Sequence, residues 1–125
     1  MKVKVYYHHT DAGGVVYYAR YLEFLEEART EYFESKGIVL KELAKKDILF
    51  VVSRQEIDYK SPAFYADTLD ISTQVSRTSG VRLEFVQDIK NEAGRTIASA
   101  KTVLVSVDRT FKPRPIPEEV SSRLT

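Results

Sequence analysis

The chain reads as an α+β domain in which an antiparallel β-sheet covers one long α-helix, and three features of the sequence predict this. Apolar residues recur at helical spacing over a single long stretch in the first third. The second half is made of alternating or β-branched apolar runs. Short clusters rich in Gly, Ser and Glu separate those runs, as hairpin connections require, so that consecutive strands are antiparallel.

In chain order, Val3, Val5 and Tyr7 alternate with Lys2, Lys4 and Tyr6, which predicts a first strand over Lys2 to His8 with one buried face. Thr10-Asp11-Ala12-Gly13-Gly14 breaks that pattern with turn-forming residues. From Tyr17 to Lys36, Tyr18, Tyr21, Leu22, Leu25, Ala28, Tyr32 and Phe33 fall on one helical face, with Arg20, Glu23, Glu27, Glu31 and Glu34 opposite. That span is a helix of about five turns. Gly37 follows as its natural stop, and Lys36 complements the negative end of the helix dipole.

Leu40 to Lys46 allows a further helical turn or two, and Ile48-Leu49-Phe50-Val51-Val52 opens the β half. Leu69, Ile71, Thr73 and Val75 alternate with polar neighbours, as do Val81, Leu83, Phe85 and Ile89, and Ile97 to Val107 is a longer β-branched run. Ser79-Gly80 and Glu92-Ala93-Gly94 are the hairpin turns. Pro113, Pro115 and Pro117 keep the tail from Phe111 out of a central strand, and it is expected to run extended along the surface. The sheet is expected to curl around the helix.

At 125 residues, 43% of them hydrophobic, the sequence is expected to form one domain, residues 1–125, with a core of its own. Nineteen basic and 18 acidic residues mix along the chain to a net charge of +1, without the basic excess of a nucleic-acid binder. No apolar run approaches the roughly 20 residues of a membrane span, and no signal-peptide core precedes the first strand, so a soluble, cytoplasmic protein is expected. The absence of cysteine removes disulfides, thiolate nucleophiles and cysteine metal ligands together, leaving an oxygen nucleophile or water.

Asp11 is the first candidate for chemistry, and it admits two readings. Asp before Ala-Gly-Gly is good turn chemistry, its carboxylate accepting from a backbone N–H two residues on. It also stands between a strand and a long helix, where glycines allow close approach of a ligand and the unpaired N–H groups of a helix start favour negative charge. His8 and His9 suggest a metal, but neighbours in a strand face opposite sides, and no third histidine or cysteine completes a site. Either imidazole stands close enough in sequence to line a pocket beside Asp11, although partly exposed histidines without a catalytic role are the commoner case.

Arg29 falls inside the apolar stripe of the helix with Glu26 three residues before it, which points to a structural Glu26–Arg29 pair or a subunit contact. The sharper reading makes Glu26 a second active-site carboxylate. Tyr17, Tyr18, Tyr21, Phe24, Tyr32 and Phe33 include the aromatics of an acyl pocket, with core the default for all but Tyr17 and Tyr18. Dinucleotide, nucleotide-triphosphate and serine-hydrolase motifs are absent.

The segment YYHHTDAGGVVYYARYLEFLEEARTEYFESKG resembles the signature of the hotdog-fold acyl-CoA thioesterases, in the 4-hydroxybenzoyl-CoA thioesterase and YbgC-like group. The resemblance continues through Tyr59-Lys60-Ser61-Pro62-Ala63, Asp67, Val107-Asp108 and the Pro-rich tail, and covers nearly the whole chain. It implies an antiparallel sheet wrapped around a central helix, pairing through sheet edges into a homodimer or homotetramer. It further implies an acyl-CoA substrate, with no metal and no cofactor.

By the same resemblance Asp11 matches the catalytic aspartate, as nucleophile or general base, and Val16 to Tyr18 match the helix start whose amides polarise the thioester carbonyl. Tyr17 and Tyr18 are thus the expected amide donors, and His8, His9, Gly13, Gly14, Val15 and Val16 the expected substrate contacts. The CoA phosphates call for cations, for which Lys60 and Arg82 stand first, with Arg77, Lys112 and Arg114 behind them. The chain departs from the YbgC-like branch in two places. Tyr18 stands where that branch commonly has histidine, as in the aryl-CoA branch, and His8-His9 replaces an acidic pair. Tyr18 accordingly points toward an aromatic acyl group, and short-chain acyl groups are the other expectation. Two alternatives use the same cavity: a non-catalytic acyl-CoA or acyl-carrier-protein binding module, and a dehydratase relying on His8 or His9.

Overall fold

A computed structural model describes residues 1–124. Five strands, β1 (Lys2–Lys4), β2 (Leu49–Tyr59), β3 (Thr68–Ser79), β4 (Arg82–Asn91) and β5 (Thr96–Val107), form one antiparallel sheet in the order β1-β3-β4-β5-β2. The helix α1 (Arg20–Ser35) lies across its inner face, joined by the short helices α2 (Leu40–Lys45) and α3 (Glu118–Ser121). Bulges between Val52 and Arg54, between Val75 and Arg77, and at Ile89 add twist, and the sheet curls around α1 as an α+β hotdog fold.

The end of α1 follows from its sequence. Gly37, at φ +76°, lets the Ile38 N–H donate to the Phe33 carbonyl and the Gly37 N–H to the Glu34 carbonyl, both at 2.9 Å. This is a Schellman stop, completed by the joint burial of Phe33 and Ile38. Its start is three residues later than the periodicity predicts, because Tyr17 to Ala19 form a separate turn in which the Arg20 N–H donates to the Tyr17 carbonyl.

The first strand is also shorter than expected. Val5 still exchanges backbone bonds with the Ala66–Asp67 segment, but Tyr7–His9 coil into a 3-10 turn. Side chains compete with the ladder there: the Tyr6 N–H donates to His9 Nδ1, and the Thr10 hydroxyl donates to the Tyr7 carbonyl. His8 and His9 therefore do not face opposite sides of a strand; their rings lie 4.0 Å apart. The tail departs from expectation as well. It pairs briefly with β5 through Pro113, then forms α3, so that Val120 and Leu124 are buried.

The core consists of two apolar clusters with a polar layer between them. One gathers Phe24, Leu25, Ala28, Leu69, Ile71 and Ile89 with Ala63, Ala98 and Ala100; the other gathers Phe33, Leu43, Leu83, Phe85, Leu104 and Val120. On β4, Gln87 separates Phe85 from Ile89, and on β5, Thr102 separates Ala100 from Leu104. Arg29 of α1 donates to Gln87 Oε1 at 3.2 Å and to the Thr102 hydroxyl at 3.3 Å. Gln87 in turn donates to the Leu25 carbonyl and the Thr73 hydroxyl, and Thr102 to Gln55 Oε1. The expected Glu26–Arg29 pair is not formed; Glu26 accepts from the Thr30 hydroxyl instead. Burial holds the Arg29 guanidinium below its ordinary value, with Glu26 pulling the other way.

Candidate active site

The Asp11 segment is a small hairpin. Thr10 bridges to Val16, the Asp11 N–H donates to the Val15 carbonyl at 2.9 Å, and the Gly14 N–H returns to the Asp11 carbonyl at 3.0 Å. Asp11 Oδ1 accepts from the Gly13 N–H at 2.8 Å, the turn role anticipated for an aspartate in this position. Gly14, at φ +81°, uses the left-handed conformation open to glycine, and a Cβ on Gly13 would stand 3.1 Å from Asp11 Oδ1. The hairpin is anchored on the loop after β2 by the Val16 N–H to Ala63 carbonyl bond and the Val15–Phe64 bridge.

The entry to α1 separates the two amides expected to act together. The Tyr17 N–H donates to the His9 carbonyl at 2.9 Å and is thereby occupied. The Tyr18 N–H and, beside it, the Ala19 N–H have no acceptor among the described residues, at the positive end of a 16-residue helix.

Beside this entry lies a groove of about 290 Å³, lined by Val15, Val16, Tyr18, Tyr21, Tyr59 and Lys60. The Tyr18 ring meets Tyr17 edge-on at 4.9 Å and Tyr59 edge-on at 6.2 Å, and Tyr21 leans on Tyr59 at 5.6 Å. The Tyr59 hydroxyl donates to the Tyr18 carbonyl at 3.1 Å, which fixes the groove wall to the helix entry. Burial pushes the Tyr21 phenol up to about 12 and raises Tyr59 as well, so both present neutral hydroxyls.

His8 and His9 line a different hollow of about 610 Å³, with Arg20, Glu23, Phe24 and Glu26 of α1. Glu23 is held below its ordinary value chiefly by its hydrogen bond from Arg20. Among the described residues no cluster of three histidine, cysteine or acidic side chains is placed to hold a metal ion.

The candidates from the sequence are thus distributed unequally. Asp11, Gly13 and Gly14 form the turn of the hairpin, whose Val15 and Val16 line the groove with Tyr18 and Lys60, and Tyr17 packs on Tyr18. Arg82 does not join them within the chain. Lys60 follows Tyr59, which pairs with Ala98, whereas Arg82 pairs with Val105, so about 23 Å of strand lies between them. Tyr21 and Tyr59 are groove residues that the sequence reading left among core and motif. Their only signal is that Tyr21 follows Tyr17 and Tyr18 by one helical turn, and that Tyr59 stands beside the Lys60-Ser61-Pro62 turn.

The family model described as Thioesterase-like superfamily matches residues 5–124. The acyl-CoA thioesterase YbgC of Haemophilus influenzae is 40% identical over 122 residues, 96% of this chain and 89% of its own length. The solved probable thioesterase from Bartonella henselae is 35% identical with a TM-score of 0.89, over 94% of this chain and 97% of that one. A solved gentisyl-coenzyme A thioesterase is 26% identical with a TM-score of 0.92, over 100% of this chain and 98% of that one. No helix among the described residues is long and apolar enough to cross a membrane.

Proposed function

The chain belongs to the thioesterase-like superfamily and is a thioester hydrolase acting on acyl-CoA, and we propose that its acyl group is a small one, aromatic in preference to short-chain. The observation that carries this reading is the tyrosine groove opening between the Asp11 hairpin and the unoccupied Tyr18 amide. Aromatic walls set edge to face suit a planar acyl group. The name of the gentisyl-coenzyme A thioesterase, whose fold is the same, supports the same direction.

In the proposed reaction the thioester carbonyl points its oxygen at the Tyr18 N–H at the start of α1. Such a donor contributes about 2.7–4 kcal/mol as the oxyanion develops. Asp11 either takes a proton from the attacking water and returns it to the departing CoA thiolate, or attacks the carbonyl itself to expel CoA and form a mixed anhydride that a water then hydrolyses to the free acid. In both routes the C–S bond breaks and CoA leaves as the thiol. In a single turnover in ¹⁸O-water, label in the Asp11 carboxylate establishes the covalent route, since only hydrolysis of the anhydride at the aspartyl carbonyl places it there. Tyr17, whose amide is occupied, supports the groove from behind by packing its ring edge-on against Tyr18. Lys60 meets a CoA phosphate at the rim. The outer edge of β2, eleven residues long and paired only with β5, is the proposed seam of a homodimer.

The test is thiol release from a panel of aromatic, short-chain and long-chain acyl-CoA esters. The proposal expects turnover that is highest on the aromatic esters. Binding of the esters without thiol release would contradict it and establish a binding module instead.

A further inference from the structure

Resting on the reading of Asp11 as the hydrolytic carboxylate, we infer that His9 is a positioning residue, a neutral imidazole that locks the exit of β1, the Asp11 hairpin and the entry of α1 into one frame. Three segments are tied through this one residue. The His9 N–H donates to the Tyr6 carbonyl at 3.0 Å, while the Tyr6 N–H donates to His9 Nδ1 at 2.9 Å, a reciprocal pair that closes the Tyr7–His9 turn. The His9 carbonyl accepts from the Tyr17 N–H, one residue before the unoccupied Tyr18 amide. Thr10, the next residue, bridges to Val16 and so begins the hairpin that carries Asp11. The His9 ring meets the buried Phe24 of α1 edge-on at 4.9 Å, which fixes the imidazole against the helix.

This arrangement selects one protonation state. An Nδ1 that accepts a hydrogen bond carries no proton, so the imidazole is the neutral form with its N–H on Nε2. A proton on Nδ1 sets two N–H donors face to face and removes the bond. The charged and titratable groups around it act in both directions. The His8 ring lies tilted against it at 4.0 Å, Arg20 and Glu23 face it from the first turn of α1, and Glu26 and Glu27 stand farther along the same hollow. Lys4 of β1 lies over the Tyr6 ring. Burial, His8 and Arg20 hold His9 below its ordinary value, and Glu23 opposes them. Protonation therefore loosens the frame that ties the Asp11 hairpin to the entry of α1 at Tyr18.

The experiment combines a ¹⁵N NMR titration of the wild-type protein with aryl-CoA kinetics of two variants. The wild type is expected to show an unprotonated acceptor Nδ1 above neutral pH, and a Tyr6 amide that shifts with the imidazole's midpoint. His9→Ala is expected to lower kcat/KM by about 10- to 100-fold, the scale of an ångström-level misplacement. His9→Asn, whose side-chain oxygen can accept the Tyr6 N–H, is expected within about threefold of wild type and without the acid limb at that midpoint. A protonated Nδ1 at neutral pH, or an Asn variant that keeps the same acid limb, overturns the assignment. Full activity in Asp11→Asn overturns the reading beneath it but leaves the wild-type tautomer unchanged, which tells the two failures apart.

Discussion

The two halves of the core, on either side of the Arg29–Gln87–Thr102 layer, are built to different ends. The half around Phe33 and Phe85 is the more covered one: α2, α3 and the tail pack over it, and Arg123 donates to the Gly37 carbonyl at the end of α1. The half around Leu25 and Ile71 has small residues, Ala28, Ala63, Ala98 and Ala100, where the first has large ones. Its rim leaves Tyr6, Tyr7, Tyr17, Tyr18, Tyr59, Phe64 and Tyr65 exposed. Full burial of a large apolar side chain stabilises by about 1.5–3 kcal/mol, so the open half forgoes stability that the closed half collects. The Asp11 hairpin, the Tyr18 amide and the groove all belong to the open half. A rigid closed end and an aromatic, incompletely covered end are what a ligand site on a small fold requires.

Substitutions on either side of the layer sharpen or break this division. The largest stability effect is expected from Phe85→Ala in the closed half, about 3–5 kcal/mol. Urea unfolding should show it as a lower midpoint, with kcat/KM of the folded fraction unchanged; a rate loss at full stability would break the division. Within the layer, Gln87→Leu strips the Arg29 guanidinium and the Leu25 carbonyl of a partner, and about 1–3 kcal/mol of lost stability is expected by the same assay. In the open half, Tyr18→Ala should move stability by only about 0.5 kcal/mol, since the ring is 61% exposed. Its effect falls on selectivity, reducing the preference for aromatic over straight-chain esters by up to about tenfold, the worth of one aromatic pair.

The smallest effect is on pH dependence. His9 titrates lower in the folded protein than its ordinary 6.5, so between those two values the unfolded chain binds more protons and stability rises with pH. The contribution is complete above about 6.5 and is lost as pH falls through the folded value. Thermal melts across that window should show Tm rising with pH in wild type and a shallower rise in His9→Asn.

The same division explains what could be read in the sequence. Helix α1 and strands β3, β4 and β5 are legible because periodicity reports burial, and along most of these elements one face is more buried than the other. The early end of β1 and the late start of α1 were not, because both are decided by hydrogen bonds of His9, Thr10 and Tyr17 that leave no periodic trace. The burial of Val120 and Leu124 has no trace in the sequence, where three prolines announce an exposed tail. Asp11, Gly13 and Gly14 stood out by their turn chemistry. Tyr59 did not, because its place in the groove depends on β2 ending beside the α1 entry, a contact across 41 residues of sequence. Arg29 was legible as an anomaly, but its partners are neutral groups from distant strands, where a wheel of the helix can offer only Glu26.

The central claim, that the open half hydrolyses acyl-CoA through Asp11, is tested most directly by thiol release from an aryl-CoA ester in wild type and Asp11→Asn at matched circular dichroism and Tm. The substitution keeps the turn-forming side-chain oxygen and removes the carboxylate's charge. A fall in kcat/KM of about 10²–10⁴-fold with unchanged stability is the predicted result. Equal rates in the two proteins would contradict it.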